Sequence, residues 1–326
     1  EKFGDTVVLH ADIVASSFFL ISRYEEIVRK DERDIHGRFP GKSSLPFRGG
    51  FLERPIIDEY GKALRNLLRN NRLTISEPPA QFEKINLIYD ADQLAHYRNL
   101  RGMAGAISRV FRNPSQAFIA IKSYFGGIKH DPWYTFSWLF AQADFLRKQL
   151  PNTAIKSIVF VKSGGGELNA DKPLHDVSDN DFKKLFRLCA ENEVRIGLHP
   201  SYQAGIEPNL IFHEKDILDK ALHQLTTDSR NHFLCSREPQ DMQALVDAGL
   251  SDDFTMAYAD VAGFRVGTCK PTNWVNPNTL KISSLILHPL TVMDSTLSDK
   301  RYMNLTAEEA FLLTKKLKYQ GILCGH

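Results

Sequence analysis

The sequence has few cysteines, and no two of the four, Cys189, Cys235, Cys269 and Cys324, stand close enough to form a C-x-x-C pair. That excludes a zinc or dithiol redox site of that spacing. All four sit beside apolar residues, so they read as buried free thiols, in a reducing compartment or in a secreted protein without a disulfide framework. Charge of one sign is missing too: 41 Lys+Arg against 39 Asp+Glu leaves +2. No global field recruits nucleic acid or anionic lipid, and no basic–aromatic interleaving suggests a nucleic-acid platform. Long apolar runs are absent. The longest, residues 13–21, is interrupted by Ser16 and Ser17 and falls far short of the roughly 20 residues a membrane span needs. There is no G-x-S-x-G elbow, no H-E-x-x-H helix and no internal repeat. Gly164-Gly165-Gly166 lacks the Gly-Lys-Ser/Thr of a phosphate loop and reads as a flexible loop. Asn304-Leu305-Thr306 is a glycosylation sequon by pattern only.

What remains is an ordinary globular composition, 43% hydrophobic and 25% charged over 326 residues. Such a chain buries about three quarters of its unfolded surface and needs no staple. The first residue is Glu1, with no signal-peptide pattern. The expectation is a processed or cut chain whose localisation is open, with the cytoplasm slightly favoured.

Residues 1–80 read as a mainly helical segment. Ile13, Val14, Phe18, Ile21 and Tyr24 recur at helical spacing, which predicts an amphipathic helix on a core. A turn-rich stretch follows at 36–50, then a helix over 55–70. Pro78 and Pro79 mark a boundary. Beyond them, seven short apolar runs alternate with helix-like stretches, at 85–89, 157–161, 194–198, 232–234, 254–257, 285–287 and 322–324. Alternation of this kind predicts βα units and a parallel sheet, at the size of an α/β barrel. The domains expected are therefore 1–80 and 81–326.

In such a barrel chemistry collects at the carboxyl ends of the strands. After the first run come Asp90 and Asp92, two apart and on one side of an extended backbone. Two carboxylates held together split their pKa values or invite a metal; Asp also suits a helix N-cap. After the third comes His199, followed by Tyr202 and Gln203. A neutral imidazole there suits a divalent metal beside Asp92, although a histidine after an apolar strand also serves structural roles. After the fifth, Arg265 lies between Gly263 and Gly267, placed either to orient a carboxylate or to pair with Asp260. His288 follows the sixth run, His326 the seventh, and Arg230 and His232 flank the fourth.

These residues resemble the polysaccharide deacetylase family, of NodB-homology or carbohydrate esterase family 4 type, over about 83–326. The resemblance rests on YDAD (89–92), HPSYQ (199–203), GFRVGT (263–268) and LCGH (323–326), in that order. It looks closest to a branch common in Bacteroidetes, in which the catalytic part follows an uncharacterised N-terminal region. FFLISRYEE (18–26), HGRFP (36–40) and RPIIDEY (54–60) look like the end of that region. The resemblance implies a distorted (β/α)7 barrel and metal-dependent removal of N- or O-acetyl groups from a polysaccharide or surface glycan. By position it implies Asp90 as base, Asp92 and His199 as metal ligands, Arg265 as the arginine that orients the base, and His326 as acid.

Two departures stand out. Gln203 occupies the place of the family's second ligand histidine and is a poor zinc ligand, so His232 or His213 is the expected compensation. The first motif lacks the family's adjacent Asp-Asp. The expected hydrolase acts on a carbon–nitrogen, non-peptide, or ester bond. It holds a divalent metal, zinc by expectation, on Asp92, His199, Gln203 and His232. Asp90 takes a proton from water, and His326 or His288 protonates the leaving group. Tyr202, Trp274 and Arg230 are candidates for holding the sugar. The alternative, motivated by Gln203, is a degenerate barrel that binds glycan without hydrolysing it. A phosphohydrolase is a distant third, for want of a carboxylate-rich two-metal cluster. The expected partner is a carbohydrate, with no nucleic acid and no membrane span; the oligomeric state stays open.

Overall fold

Two strands of two residues open the chain: β1 (Lys2–Phe3) pairs antiparallel with β2 (Thr6–Val7). The computed structural model describes residues 2–3, 6–76, 82–98, 100–108, 111–237 and 239–323. It divides into two units, one of Glu1–Glu83, Gly205–Asn209 and Asp228–His326, the other of Lys84–Ala204 and Leu210–Thr227.

In the first unit the helix Ile13–Ile21 is capped by Asp12, whose carboxylate accepts the Ala15 N–H at 2.8 Å. The predicted helix was to run on through Tyr24, but Arg23 takes a left-handed conformation at φ 54° and breaks it. A second helix, Tyr24–Val28, then turns Glu26 inward. Val14, Phe18 and Tyr24 are exposed rather than packed, while Arg23 and Glu26 are buried. The helix expected over 55–70 is present as Ile56–Asn70. The turn-rich stretch packs Phe39 with Leu52, Tyr258 and Val261. Gly41 has no room for a side chain there: an added Cβ would stand 2.5 Å from Val261 and 2.7 Å from Tyr258. The Pro78–Pro79 boundary lies outside the described residues.

The second unit holds three parallel strands, β3 (Lys84–Ala91), β4 (Ala154–Val161) and β5 (Arg195–Leu198), in the order β3-β4-β5. These are the first three predicted strands. Ile158, Val159, Phe160 and Val161 are fully buried, as expected of a parallel strand covered on both faces. One covering element is the helix Asn180–Glu191, one of the helix-like stretches expected between the strands. It buries Phe182, Leu185 and Cys189, a spacing of three and four residues that makes one helical face.

Beyond β5 the expectations fit less well. In the first unit β6 (Asp228–Ser229) and β7 (Asp252–Asp253) are parallel neighbours, and β9 (Lys281–Leu287) runs parallel to β7. β8 (Thr272–Asn276) was not foreseen and is antiparallel to β9. Residues 232–234 form a 3₁₀ turn rather than a strand. The run at 254–257 lies just past β7, and 285–287 closes β9. The seventh predicted strand is instead the end of the helix Ala307–Leu323, with Cys324–His326 outside the described residues. The fold is thus mixed α/β with a helical N-terminal region. The regular set of seven parallel βα units is corrected by an antiparallel strand and a helical C-terminal run. No described helix is long and apolar enough to cross a membrane. Cys189 and Cys235 are buried free thiols as expected, and Cys269 is only half-buried.

Candidate metal centre

The register of the second unit brings the carboxyl ends of its strands level. Ala91 pairs with Val161, and Val161 with Leu198. The next residue on each strand is Asp92, Lys162 and His199. The His199 N–H continues the ladder by donating to the Val161 carbonyl at 2.9 Å. His199 is buried, and its Nε2 lies 3.2 Å from Asp92 Oδ1, whose side chain is 47% exposed. One imidazole and one carboxylate therefore converge at the strand ends, with Asp92 Oδ1 itself buried and the rest of that side chain partly open to solvent. Both atoms are of the kind a divalent ion accepts. Asp90 also emerges from β3. It is exposed while the next residue, Ala91, is fully buried, so Asp90 leaves the strand on the side opposite Ala91, as the period of two requires.

Three neighbours in the same unit escaped the sequence reading. Lys162 is 1% exposed, and its Nζ donates to the Asp171 carbonyl at 2.8 Å. Burial pulls its ammonium below the ordinary lysine range, opposed by the nearby charges of Asp92, Asp171 and Glu214. Glu214 is buried on the helix Leu210–Leu222 and accepts both the Ser201 N–H at 2.8 Å and the Ser201 hydroxyl at 2.5 Å. Burial raises its carboxyl, against the Ser201 hydrogen bonds. A Cβ on Gly164 would collide with this Glu214 side chain, so the glycine run is a close-packing device as well as a loop. His175 lies with Nε2 2.5 Å from the Asp92 carbonyl oxygen. Lys162 had a signal, since it directly follows the apolar run at 157–161. Glu214 and His175 had none, being mid-helix and mid-loop.

The other predicted residues of this unit are Tyr202, Gln203 and His213. The backbone N–H groups of Tyr202 and Gln203 donate to Asp171 at 2.7 and 3.0 Å, and a Cβ on Gly166 would meet the Gln203 Oε1 at 3.1 Å. His213 is exposed on its helix, one residue before the inward Glu214.

The first unit holds the rest. His232 is buried and meets Phe233 edge-on at 4.7 Å. His288 stacks on Phe254 at 4.2 Å and 3°, with Nε2 2.7 Å from Asp252 Oδ1. Arg230 is buried and donates to the Phe254 carbonyl at 2.8 Å. Two expectations are corrected. Trp274 is 2% exposed, a core residue whose ring faces no solvent, so it offers no platform for a sugar. Arg265 does not pair with Asp260, whose carboxylate caps the Gly41 and Lys42 N–H groups at 2.7 and 3.1 Å. Instead its Nε and Nη2 fork onto Glu26 at 2.9 and 2.6 Å, and Nη1 donates to the Ala257 carbonyl at 2.7 Å. Each guanidinium nitrogen is thus engaged within its own unit. His326 lies outside the described residues.

Residues 2–72 match a family of unknown function, DUF7033. No protein with a curated description matches the chain. Among solved structures, the chain is similar to one titled a putative polysaccharide deacetylase from Mycobacterium smegmatis. Identity is 11%, the match covers 77% of each chain, and the TM-score is 0.42.

Proposed function

We propose that this chain is a metal-dependent hydrolase that removes N- or O-acetyl groups from a carbohydrate. The observation that carries the reading is the 3.2 Å approach of Asp92 Oδ1 to His199 Nε2 at the ends of parallel strands, with Asp90 exposed two residues before Asp92. In this reading Asp92 and His199 hold the ion together with His232, the ligand set that the sequence suggests, and a carboxylate with imidazoles suits zinc. His232 replaces the ligand that Gln203 does not provide. A bound divalent ion would supply Lewis acidity next to the scissile bond.

The chain's own groups do the remaining work. Asp90 takes the proton of the attacking water, for which an exposed carboxylate is suited. His288, held by Asp252, or His326 returns a proton to the leaving amine or alkoxide. Tyr202, half-buried beside His199 in sequence, offers a ring edge and a hydroxyl to the sugar. Trp274, buried in the core, takes no part. In the family resemblance these strands belong to a distorted (β/α)7 barrel following an N-terminal domain over 1–80, and that domain reading is part of the proposal.

Gln203 favours a second reading, a glycan-binding site that no longer hydrolyses. Metal content separates the two. Protein purified without chelator is expected to carry about one divalent ion per chain, lost in His199→Ala, and to release acetate from acetylated oligosaccharides. An absence of metal even after zinc soaking would sink the hydrolase and leave the binding site.

A further inference from the structure

We infer that Asp171 positions the proposed metal centre, by clamping the loop after β4 to the loops that carry Asp92 and His199. This rests on the metal reading above but concerns residues that no part of that reading assigns.

Asp171 ends the 3₁₀ turn Asn169–Asp171 and is 0% exposed. Its Oδ2 accepts the N–H groups of Gly166 at 3.1 Å and Gln203 at 3.0 Å, and its Oδ1 accepts that of Tyr202 at 2.7 Å. One carboxylate thus stitches its own loop to the loop that begins at His199. The Asp171 carbonyl accepts the Lys162 ammonium at 2.8 Å, and Lys162 directly follows β4, the strand between β3 and β5 that Asp92 and His199 follow. Four residues on, His175 reaches the Asp92 carbonyl at 2.5 Å. A single segment therefore grips the chain beside both proposed ligands.

The choice of residue is costly for a structural tie. A buried carboxylate loses several kcal/mol of hydration, and a neutral acceptor serves one or two amides without that penalty. A carboxylate offers acceptors in every direction and no donor, so it holds three amide groups at once. Such outer contacts orient ligands, and losing them typically costs 10–100-fold in metal affinity.

Asp171→Asn tests this, because the amide keeps the shape but turns an NH₂ toward at least one backbone N–H. Co²⁺ is titrated into wild type and variant in competition with a chromophoric chelator, and the visible spectrum is recorded at saturation. We expect about a 10–100-fold weaker Kd and an altered saturated spectrum. A lowered Tm with unchanged Kd and spectrum would mean a structural role only and overturns the inference. Should Asp171→Asn fail to fold, His175→Phe, which removes the other grip, is read the same way, with the same two outcomes. Wild type that binds no Co²⁺ overturns the metal reading and this inference together. Wild type that binds while both variants bind equally well overturns the inference alone.

Discussion

Arg265 and Glu26 lie 239 residues apart and form a forked ion pair, Nε–Oε1 2.9 Å and Nη2–Oε2 2.6 Å. Both are buried, at 7% exposure each, and the Tyr258 ring lies 5.0 Å from the guanidinium carbon. Burial alone would raise the Glu26 carboxyl, but Arg265, together with Arg23 and Arg33, outweighs it and holds the carboxyl below its ordinary range. The pair fastens the broken N-terminal helix to the loop between Gly263 and Gly267.

Glu26→Gln and Arg265→Leu are each expected to cost about 3–5 kcal/mol, because either leaves a buried charge without its partner. The Glu26 carboxyl is lowered in the fold, so its contribution is present above the unfolded value and is lost as pH falls below it. Urea denaturation of both variants at neutral pH checks this; a loss under 1 kcal/mol in both would contradict it.

Asp241 behaves in the opposite sense. It is 0% exposed, accepts the Arg237 N–H at 2.8 Å, and burial pushes its carboxyl up to about 6 from 3.8. A raised carboxyl favours the protonated form in the fold. Its stabilisation is therefore complete below about 3.8 and disappears as pH rises through about 6. Asp241→Asn, permanently neutral, is expected to be more stable than wild type by about 1–3 kcal/mol at pH 7–8, with the gain fading near pH 4. Equal stability at both pH values would refute the assignment.

For the metal centre, Asp92→Ala, His199→Ala and His232→Ala are each expected to weaken Zn²⁺ binding by more than the roughly 10–100-fold of outer-shell losses. Isothermal titration gives the answer. Full retention of affinity in His232→Ala alone would remove it from the ligand set and leave Asp92 and His199.

Asp90→Asn separates chemistry from binding. Metal content is expected to stay at the wild-type level while acetate release falls about 10²–10⁴-fold. Unchanged activity would dismiss Asp90 as the base.

The second unit was the more legible in sequence. β3, β4 and β5 are apolar runs bounded by polar residues, and Asp92 and His199 follow two of them directly. β6 and β7 were unreadable because their residues are polar: Asp228, Ser229 and Asp253 are buried in the strands themselves. Asp253 is tolerated there because Thr255 donates to it from both backbone and hydroxyl. β8, with Thr, Asn and Trp in five residues, has no periodicity to betray it. Arg265 was legible as a placed cation, but its partner was misjudged, since Asp260 is near in sequence and Glu26 is not.

Residue order and hydropathy were enough for the α/β character, the main parallel strands, the helices at 56–70 and 180–191, and the Asp–His pair at the strand ends. Those features repeat with the period of a helix or strand and need only local information. Tertiary folding alone chose the partners of Arg265, Lys162, Asp171 and Glu214, the antiparallel β8, and the inward turn of Trp274. A buried polar group must find a counterpart wherever the fold brings one, and loop closure sets that meeting across 9 to 239 residues.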